Sequence, residues 1–208
     1  MKLWKCLVLA LSLVPAMSWG QADQVKVQIK GLKVGEQQTP QIQASNIVDK
    51  RWRPKNWIEI EVPMEIKLAR DLGGRDGSLQ SLQIKYFVGV NAKTDDGKNV
   101  VLTGTINYQD IAADQDNVAL AFVSPSTLKR VLQKDNGGKG DVVAYGVEVM
   151  VGSERVAFES STGSPWWFDQ ATNGLSDRFA PEDGAILPKS KTPFAPFWGD
   201  YDLPVATN

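Results

Sequence analysis

The sequence predicts an all-β protein: an antiparallel β-sandwich with one short helix and an extended, aromatic- and proline-rich C-terminal tail. The first observation is the stretch Asn56–Leu68, in which apolar residues fill the even positions and mostly polar or charged residues fill the odd ones. This alternation is typical of a strand with one face on a core and one in water. The second is that roughly seven or eight strand-like segments accompany a single short helical segment, a combination typical of two packed sheets.

The N-terminus has the pattern of a signal peptide, which we place at residues 1–22. Two lysines precede the apolar run Leu7–Val14, and small residues follow it, so cleavage is expected after Gly20 or Ala22. The run is short for a membrane span, and no later stretch is apolar enough for one. We therefore expect an exported protein of the periplasm, outer membrane or cell surface, with no transmembrane span in the mature chain.

The composition excludes several classes of function. The chain has no histidine, and its one cysteine, Cys6, would leave with the signal peptide. Imidazole catalysis, thiol catalysis and the usual zinc sites are therefore excluded for the mature chain. Loss of Lys2 and Lys5 leaves 21 of the 23 basic residues against 24 acidic ones, a net charge of −3, so nothing indicates nucleic-acid binding. We predict a protein that is not an enzyme and has no catalytic, cofactor-binding or metal-binding residues.

The strands can be placed from the alternation and the turn signals. Gln24–Lys33 is predicted as the first strand, and Gly35–Asp49 has room for one short strand. In the long strand, Pro63 cannot donate a ladder hydrogen bond, which indicates an edge, a bulge or a switch between sheets. Further strands are predicted at Leu79–Lys93, Val100–Tyr108, Val118–Phe122, Asp141–Val151 and Glu154–Glu159, with turns at Asp71–Ser78, Thr94–Lys98 and Gly152-Ser153 and an acidic loop at Asp110–Asn117.

One helix is predicted to begin at Ser124-Pro125, because serine is a favourable N-cap and proline a favourable first helical residue. Leu128 and Leu132 then share one face of the helix. Gly137 is expected to end it, since glycine readily adopts the left-handed conformation found after helix ends.

The composition changes after Ser160, where a proline-rich stretch with three of the seven tryptophans begins. We therefore divide the mature chain into a sandwich, residues 23–161, and an extended C-terminal segment, residues 162–208, packed on it. Ser164–Asp202 is expected to dock on its own chain with Trp166 and Trp198 largely buried, because its aromatic residues would otherwise leave a large apolar patch in water.

The tryptophans have a second interpretation. Exposed tryptophan and tyrosine are enriched at interfaces, and such rings also stack on sugars, so these side chains could form a partner or glycan surface rather than anchors. The candidate interaction residues are Trp52, Trp166, Trp167 and Trp198.

Two sets of acidic residues also have alternative interpretations. Glu59 and Glu61 lie about 6 to 7 Å apart on one strand face, the spacing of some glycosidase pairs, but such charges more often protect a solvent face from mispairing. The acidic loop Asp110–Asn117 offers oxygen ligands for Ca²⁺. Its spacing does not match the EF-hand pattern, which favours a solvated loop.

Five stretches carry a family resemblance: the signal MKLWKCLVLALSLVPA, the strand NWIEIEVPMEIKL, LQIKYFVGV, and the tail segments SPWWFDQ and APFWGDYD. Together they resemble exported pilus-like proteins of the Verrucomicrobia, encoded near type IV pilus assembly components. The resemblance implies an immunoglobulin-like β-sandwich without enzymatic activity. A type IV pilin keeps its hydrophobic N-terminal helix after cleavage, whereas here the small residues follow the apolar run, which favours an accessory or surface protein.

The expected function is that of a non-catalytic exported structural or interaction protein of the cell envelope, an accessory of a type IV pilus-like system. Its expected partners are protein components of a pilus or outer-membrane assembly, and no nucleic acid. The alternative is a carbohydrate-binding module that uses exposed tryptophans, with a glycan as the partner.

Overall fold

The computed structural model describes residues 24–41, 48 and 52–206; the predicted signal peptide, residues 1–22, lies outside them. Short 3-10 turns occur at Arg70–Leu72, Gly74–Asp76, Lys139–Asp141 and Lys189–Lys191. In the described part, no helix is long and apolar enough to cross a membrane. The strands and the helix are β1 (Val25–Ile29), β2 (Lys33–Gln38), β3 (Asn56–Leu68), β4 (Ser78–Lys93), β5 (Asn99–Ala112), β6 (Asp116–Val123), α1 (Pro125–Leu132), β7 (Val142–Val151), β8 (Glu154–Ser160), β9 (Phe168–Asp169), β10 (Gly174–Leu175), β11 (Phe179–Glu182) and β12 (Ile186–Pro188).

The strands form two five-stranded sheets that pack face to face, and β9 pairs with β10 in a small hairpin. In sheet A, β3 is central: one of its edges pairs with β2 and then β1, and the other pairs with β6, which is followed by β12. Sheet B has the order β11-β5-β4-β7-β8, with every pair antiparallel except β11–β5. This architecture confirms the predicted all-β sandwich.

The long strand β3 has the predicted bounds, and its inward-facing side chains from Ile58 to Ile66 are at most 1% exposed. They meet the inward-facing side chains of β4 and β5 in one hydrophobic core. Two tyrosines lie inside this core, Tyr86 on β4 and Tyr108 on β5, and their hydroxyl oxygens are 2.9 Å apart. Each hydroxyl thus gives the other a polar partner, and burial raises the pKa of both phenols well above the ordinary value.

Pro63 is accommodated in this central strand because it lies where the neighbour of β3 changes. Pairing with β2 ends at Glu61 and pairing with β1 begins at Met64. The Pro63 carbonyl oxygen accepts a hydrogen bond of 2.7 Å from the Lys30 N–H on that side. The amide and carbonyl of a strand residue point to the same side, so the N–H that proline lacks would have faced Lys30, just beyond the end of β1. Its absence removes a hydrogen bond at the end of a ladder and not one in its interior.

The C-terminal segment contributes a strand to each sheet, which the sequence analysis did not predict. β11 adds to the edge of β5 in sheet B, and β12 adds to the edge of β6 in sheet A. Between them the chain crosses from one sheet to the other, where the Ala185 N–H donates to the Thr103 carbonyl oxygen at 3.1 Å. Gly104 permits this crossing, because a Cβ there would lie 2.7 Å from the Ile186 side chain and carbonyl oxygen.

Helix α1 begins as predicted, with the Ser124 hydroxyl accepting a hydrogen bond of 3.1 Å from the Thr127 N–H. The prediction for its end is wrong. Gln133, with φ of 53°, takes the left-handed position expected of Gly137. The helix buries Leu128 and connects β6 of sheet A to β7 of sheet B.

The bounds of several other elements differ from the prediction. The first strand ends at Ile29, and a separate strand, β2, begins at Lys33, two residues before the stretch in which one short strand had room, and ends within it at Gln38. β5 continues to Ala112 and β6 begins at Asp116, so the predicted acidic loop contracts to residues 113–115. The turn Gly152-Ser153 is confirmed, with φ of 60° at Gly152.

Candidate functional site

The structure places the four tryptophans singled out from the sequence in different settings and does not bring them into one site. Trp52 is 50% exposed, Trp166 is half-buried, Trp167 is 1% exposed and Trp198 is 44% exposed. Trp166 and Trp167 pack on the outer face of sheet B, whereas Trp198 lies over the outer face of sheet A. The expectation that Trp198 is largely buried is therefore wrong, and the most deeply buried of the four is Trp167.

Trp167 is an interior residue and cannot contribute to a contact surface. Its ring stacks on Phe87 of β4 at a centroid distance of 4.7 Å, and its indole N–H donates to the Glu148 carboxylate at 3.1 Å. The Arg155 guanidinium donates to the same carboxylate at 2.7 Å, so the buried Glu148 has both a charge partner and a hydrogen-bond donor. This arrangement fastens the tail to sheet B.

Trp166 packs edge-on against Trp167 and Phe179, with centroid distances of 5.4 and 5.3 Å. The Arg178 guanidinium donates to its carbonyl oxygen at 2.7 Å. Its indole nitrogen is buried and has no hydrogen-bond partner among the described residues. These contacts make Trp166 a second anchor of the tail on sheet B.

Trp198 is the outermost ring of an aromatic stack that rises from sheet A. Phe194 stacks on Phe122 of β6 at 4.8 Å, and Trp198 stacks on Phe194 at 5.9 Å. Trp57 of β3 adds an edge contact of 5.9 Å to Phe194, which is 1% exposed. The stack holds Trp198 in place while leaving much of its ring open to solvent.

Lys189 holds the loop that carries Trp198. Its buried ammonium group donates to the carbonyl oxygens of Phe197 and Trp198, at 2.7 and 3.1 Å, and forms an ion pair with the largely buried carboxylate of Asp202. All three ammonium hydrogens therefore have acceptors. Trp198 has φ of 54°, a conformation that is unfavourable for a bulky residue and persists only when its surroundings fix it. Lys189 thus holds the loop 197–202 in a single conformation.

This loop and the outer face of sheet A enclose a groove of about 670 Å³, which we call the acidic–aromatic groove. Its floor comes from β2, β3 and β6, and one wall comes from the tail loop. It combines two half-exposed aromatic rings, three carboxylates and one amide. The lining residues are Gln37, Glu59, Glu61, Leu120, Trp198, Gly199, Asp200 and Tyr201.

The two strand carboxylates of the groove have different partners. Glu61 forms an ion pair of 2.6 Å with Lys33. Glu59 receives only a long contact of 3.5 Å from the Gln37 amide, and no cation of the described residues lies within ion-pair distance of it. Partial burial, together with the Glu61 charge, raises the pKa of the Glu59 carboxyl above its ordinary value, against the smaller opposing effect of the Gln37 contact.

Tyr201 stands on the tail side of the groove and is 48% exposed. Desolvation is the main cause that raises the pKa of its hydroxyl, and the nearby Glu61 carboxylate adds to it. The phenol is therefore neutral over the ordinary pH range and can donate or accept a hydrogen bond. A groove with aromatic faces, carboxylates, an amide and a phenol has the composition of a binding site for a polar or cationic ligand.

The predicted acidic loop has other partners. Asp116 pairs with Lys30 at 2.6 Å, and Asp114 pairs with Arg75 at 3.4 Å. The Asn117 amide donates to the carbonyl oxygens of Ala112 and Gln115. Among the described residues, no group of three or more Asp, Glu, His or Cys side chains is arranged to hold a metal ion.

Sequence reasoning identified Glu59, Glu61 and Trp198 separately but missed that they share one groove with Gln37 and Tyr201. The alternation of β3 placed the carboxylates on an outward face. Nothing in the sequence indicated which face the tail would cover, because the residues concerned are more than a hundred positions apart.

Comparison with known proteins finds a matching family model and a similar solved structure. A protein-family model matches residues 19–208. A crystal structure of a protein from Akkermansia muciniphila is similar, with a TM-score of 0.74 and 23% sequence identity over 89% of this chain and 95% of the other. At that identity the similarity shows a shared fold, the all-β sandwich. No functionally curated protein matches the chain in sequence.

Proposed function

We propose that this chain, which belongs to the family whose model matches residues 19–208, is a non-catalytic, exported interaction protein of the cell envelope. In this proposal it is an accessory of a type IV pilus-like system that works through protein contacts. The resemblance to exported pilus-like proteins of the Verrucomicrobia supports this role, and Akkermansia muciniphila, the source of the similar fold, belongs to the same group.

The observation that carries the proposal is the acidic–aromatic groove. Its exposed rings, Trp198 and Tyr201, stand on a loop that is fixed from below by Lys189 and by the Phe194 stack. Rigid aromatic side chains with a polar edge bind partners at a low cost in conformational entropy. The contact surface of the protein is therefore the outer face of sheet A.

Export is supported by the N-terminal pattern of basic residues, apolar run and small residues. The family match begins at residue 19, downstream of that apolar run. The mature chain would have no cysteine, so its stability comes from the core and from the tail that covers both sheets.

The test is site-specific photo-crosslinking in envelope fractions of a verrucomicrobial strain. A photoreactive phenylalanine analogue replaces Tyr201 in the groove, and in a matched control it replaces Val143, which is 66% exposed on β7 of sheet B. We expect a pilus or outer-membrane component to be captured from position 201 and not from position 143. Capture at neither position, or equally at both, would contradict the proposal.

A carbohydrate-binding module is the second candidate function. It is favoured by two half-exposed rings in one groove, beside the hydrogen-bonding groups of Gln37 and Glu59, since sugars stack on aromatic faces while their hydroxyls bind polar side chains. Titration with a broad glycan panel should then change tryptophan fluorescence, and Trp198→Ala should abolish the change. Flat titrations across the panel would remove this candidate.

A further inference from the structure

The acidic–aromatic groove has an excess of negative charge. Three carboxylates line it, those of Glu59, Glu61 and Asp200, and no lysine or arginine of the described residues does so. Lys33 neutralises Glu61 from the rim, at 2.6 Å. Glu59 is left half-buried with only the Gln37 amide beside it, at 3.5 Å. A partly desolvated carboxylate without a cation is a costly arrangement, which a positively charged ligand would relieve.

The aromatic side of the groove favours the same class of ligand. Trp198 and Tyr201 line the groove with half-exposed rings. The negative face of an indole or phenol ring attracts a cation, and the attraction grows when the cation is removed from water. Acidic and aromatic groups thus line the same groove, and its volume of about 670 Å³ leaves space for the side chain of another protein.

We propose that this groove receives the guanidinium group of an arginine side chain from a partner protein, held between the Glu59 carboxylate and the rings of Trp198 and Tyr201. This inference rests on the proposed function, since it names the chemistry of the partner at the same surface. Arginine fits better than lysine because its planar group can stack on a ring and donate two parallel hydrogen bonds to one carboxylate, and because it is less strongly hydrated.

The experiment compares two peptides that differ only in charge. The probe is acetyl-Gly-Arg-Gly-amide, and its matched control contains citrulline, a neutral analogue of arginine of nearly the same shape. Binding is followed by NMR through the indole N–H signal of Trp198, assigned with Trp198→Phe. We expect a saturable shift with the arginine peptide and an affinity about tenfold lower for the citrulline peptide, which is about 1.4 kcal/mol.

Variants locate the interaction. Glu59→Gln keeps the size of the side chain and removes its charge, so it should lower the affinity for the arginine peptide about tenfold. Glu65→Gln is the matched control: Glu65 lies on the same outward face of β3, is paired with Lys30 and Lys67, and does not line the groove. It should leave the affinity unchanged. The NMR spectrum of each variant also shows that the protein is folded.

Three results would overturn the inference: equal affinity for both peptides, no saturable shift with either, or binding of glucosamine or neutral glycans in place of the arginine peptide. A pilus component captured at position 201 without any arginine preference would retain the proposed function and reject this inference. An arginine preference without such capture would retain this inference and reject the proposed function.

Discussion

The indole ring of Trp167 lies against the backbone of Gly146, so close that a Cβ atom at position 146 would overlap the ring. Gly146 belongs to β7 of sheet B, and Trp167 belongs to the tail. The absence of a side chain at position 146 is therefore what allows Trp167 of the tail to pack closely against the sheet. Glycine is usually unfavourable inside a strand, and here it serves the close approach of another segment.

This relationship predicts non-additive effects on stability. Gly146→Ala should lower the free energy of unfolding by about 3 kcal/mol through overpacking, and Trp167→Ala by about 3 to 5 kcal/mol through loss of a buried aromatic ring. The double variant should be close in stability to Trp167→Ala alone, because the new methyl group then no longer meets the ring and its remaining close neighbour is the Glu159 carbonyl oxygen, at 3.0 Å. Denaturant unfolding of the four proteins measures the coupling directly.

A matched control is Gly35→Ala in β2, where a Cβ would meet no atom within 4 Å. It should change the unfolding free energy by no more than about 0.5 kcal/mol. Strictly additive effects of Gly146→Ala and Trp167→Ala would contradict the proposed contact.

A second prediction concerns the ion pair of Lys189 and Asp202. Lys189→Met keeps the length of the side chain but leaves the Asp202 carboxylate buried without a cation, and it removes the donor to the carbonyl oxygens of Phe197 and Trp198. The free energy of unfolding should fall by about 3 to 5 kcal/mol. Chemical denaturation measures the loss, and the Trp198 indole signal should show a less ordered loop.

Two further variants separate charge from packing. The double variant Lys189→Met with Asp202→Leu should recover part of the lost stability, since no unpaired charge then remains buried. Lys191→Met, at an exposed neighbouring position, should have almost no effect. An equal loss in Lys189→Met and Lys191→Met would reject the role assigned to Lys189.

The third prediction concerns pH. The folded protein disfavours the ionised form of Glu59, so its carboxyl has a higher pKa in the folded than in the unfolded state. Its ionisation therefore costs stability, and this cost develops as the pH rises above the ordinary value of 4.5 towards the raised folded value. Glu59→Gln should increase the unfolding free energy at neutral pH by less than about 1 kcal/mol, given the partial exposure of the site, with no gain at lower pH.

Glu65, on the same strand, has a pKa shift in the opposite direction. Hydrogen bonds to Lys67 and Lys30 lower the pKa of its carboxyl, so its ionised form is favoured in the folded state. That stabilisation is present at neutral pH and is lost as the pH falls through the lowered folded pKa. Glu65→Gln should therefore destabilise slightly at neutral pH. Unfolding curves at several pH values measure the free energy of unfolding of both variants. The same pH dependence in Glu59→Gln and Glu65→Gln would contradict the opposite pKa shifts of the two carboxyls.

The fourth prediction concerns the tail as a whole. Truncation after Ser161 removes β11 and β12, uncovers Phe87 on sheet B and Phe122 on sheet A, and opens the edges of β5 and β6. The truncated chain should have a lower melting temperature and should aggregate. Removal of residues 207–208 alone is the control. A truncated protein that melts unchanged and stays soluble would show that the tail is not part of the folded core.

Much of the sandwich could be predicted because local patterns encode it. The alternation in Asn56–Leu68 gave both the bounds of β3 and its buried face, and Ser124-Pro125 gave the start of α1. The end of that helix was missed because Gln133 takes a left-handed conformation that is rare outside glycine and asparagine.

The candidate site could not be predicted as a unit. Which outer face each tail aromatic covers is decided by long-range packing, such as Trp167 on Gly146 and Phe194 on Phe122. The strands β11 and β12 were missed because they are short and proline-containing, so they show no alternation. Their position is determined by the edges to which they add.

The crossing of the tail from sheet B to sheet A also determines when the protein can fold. Synthesis proceeds from the N-terminus, and both sheets lack an edge strand until Phe179–Glu182 and Ile186–Pro188 have emerged. The pairs Phe179–Asn99 and Ile186–Val123 join distant parts of the chain, and such non-local contacts form slowly. A chain built in this way stays incomplete until its last residues arrive, so both sheets gain their final edge strands only when synthesis is nearly finished.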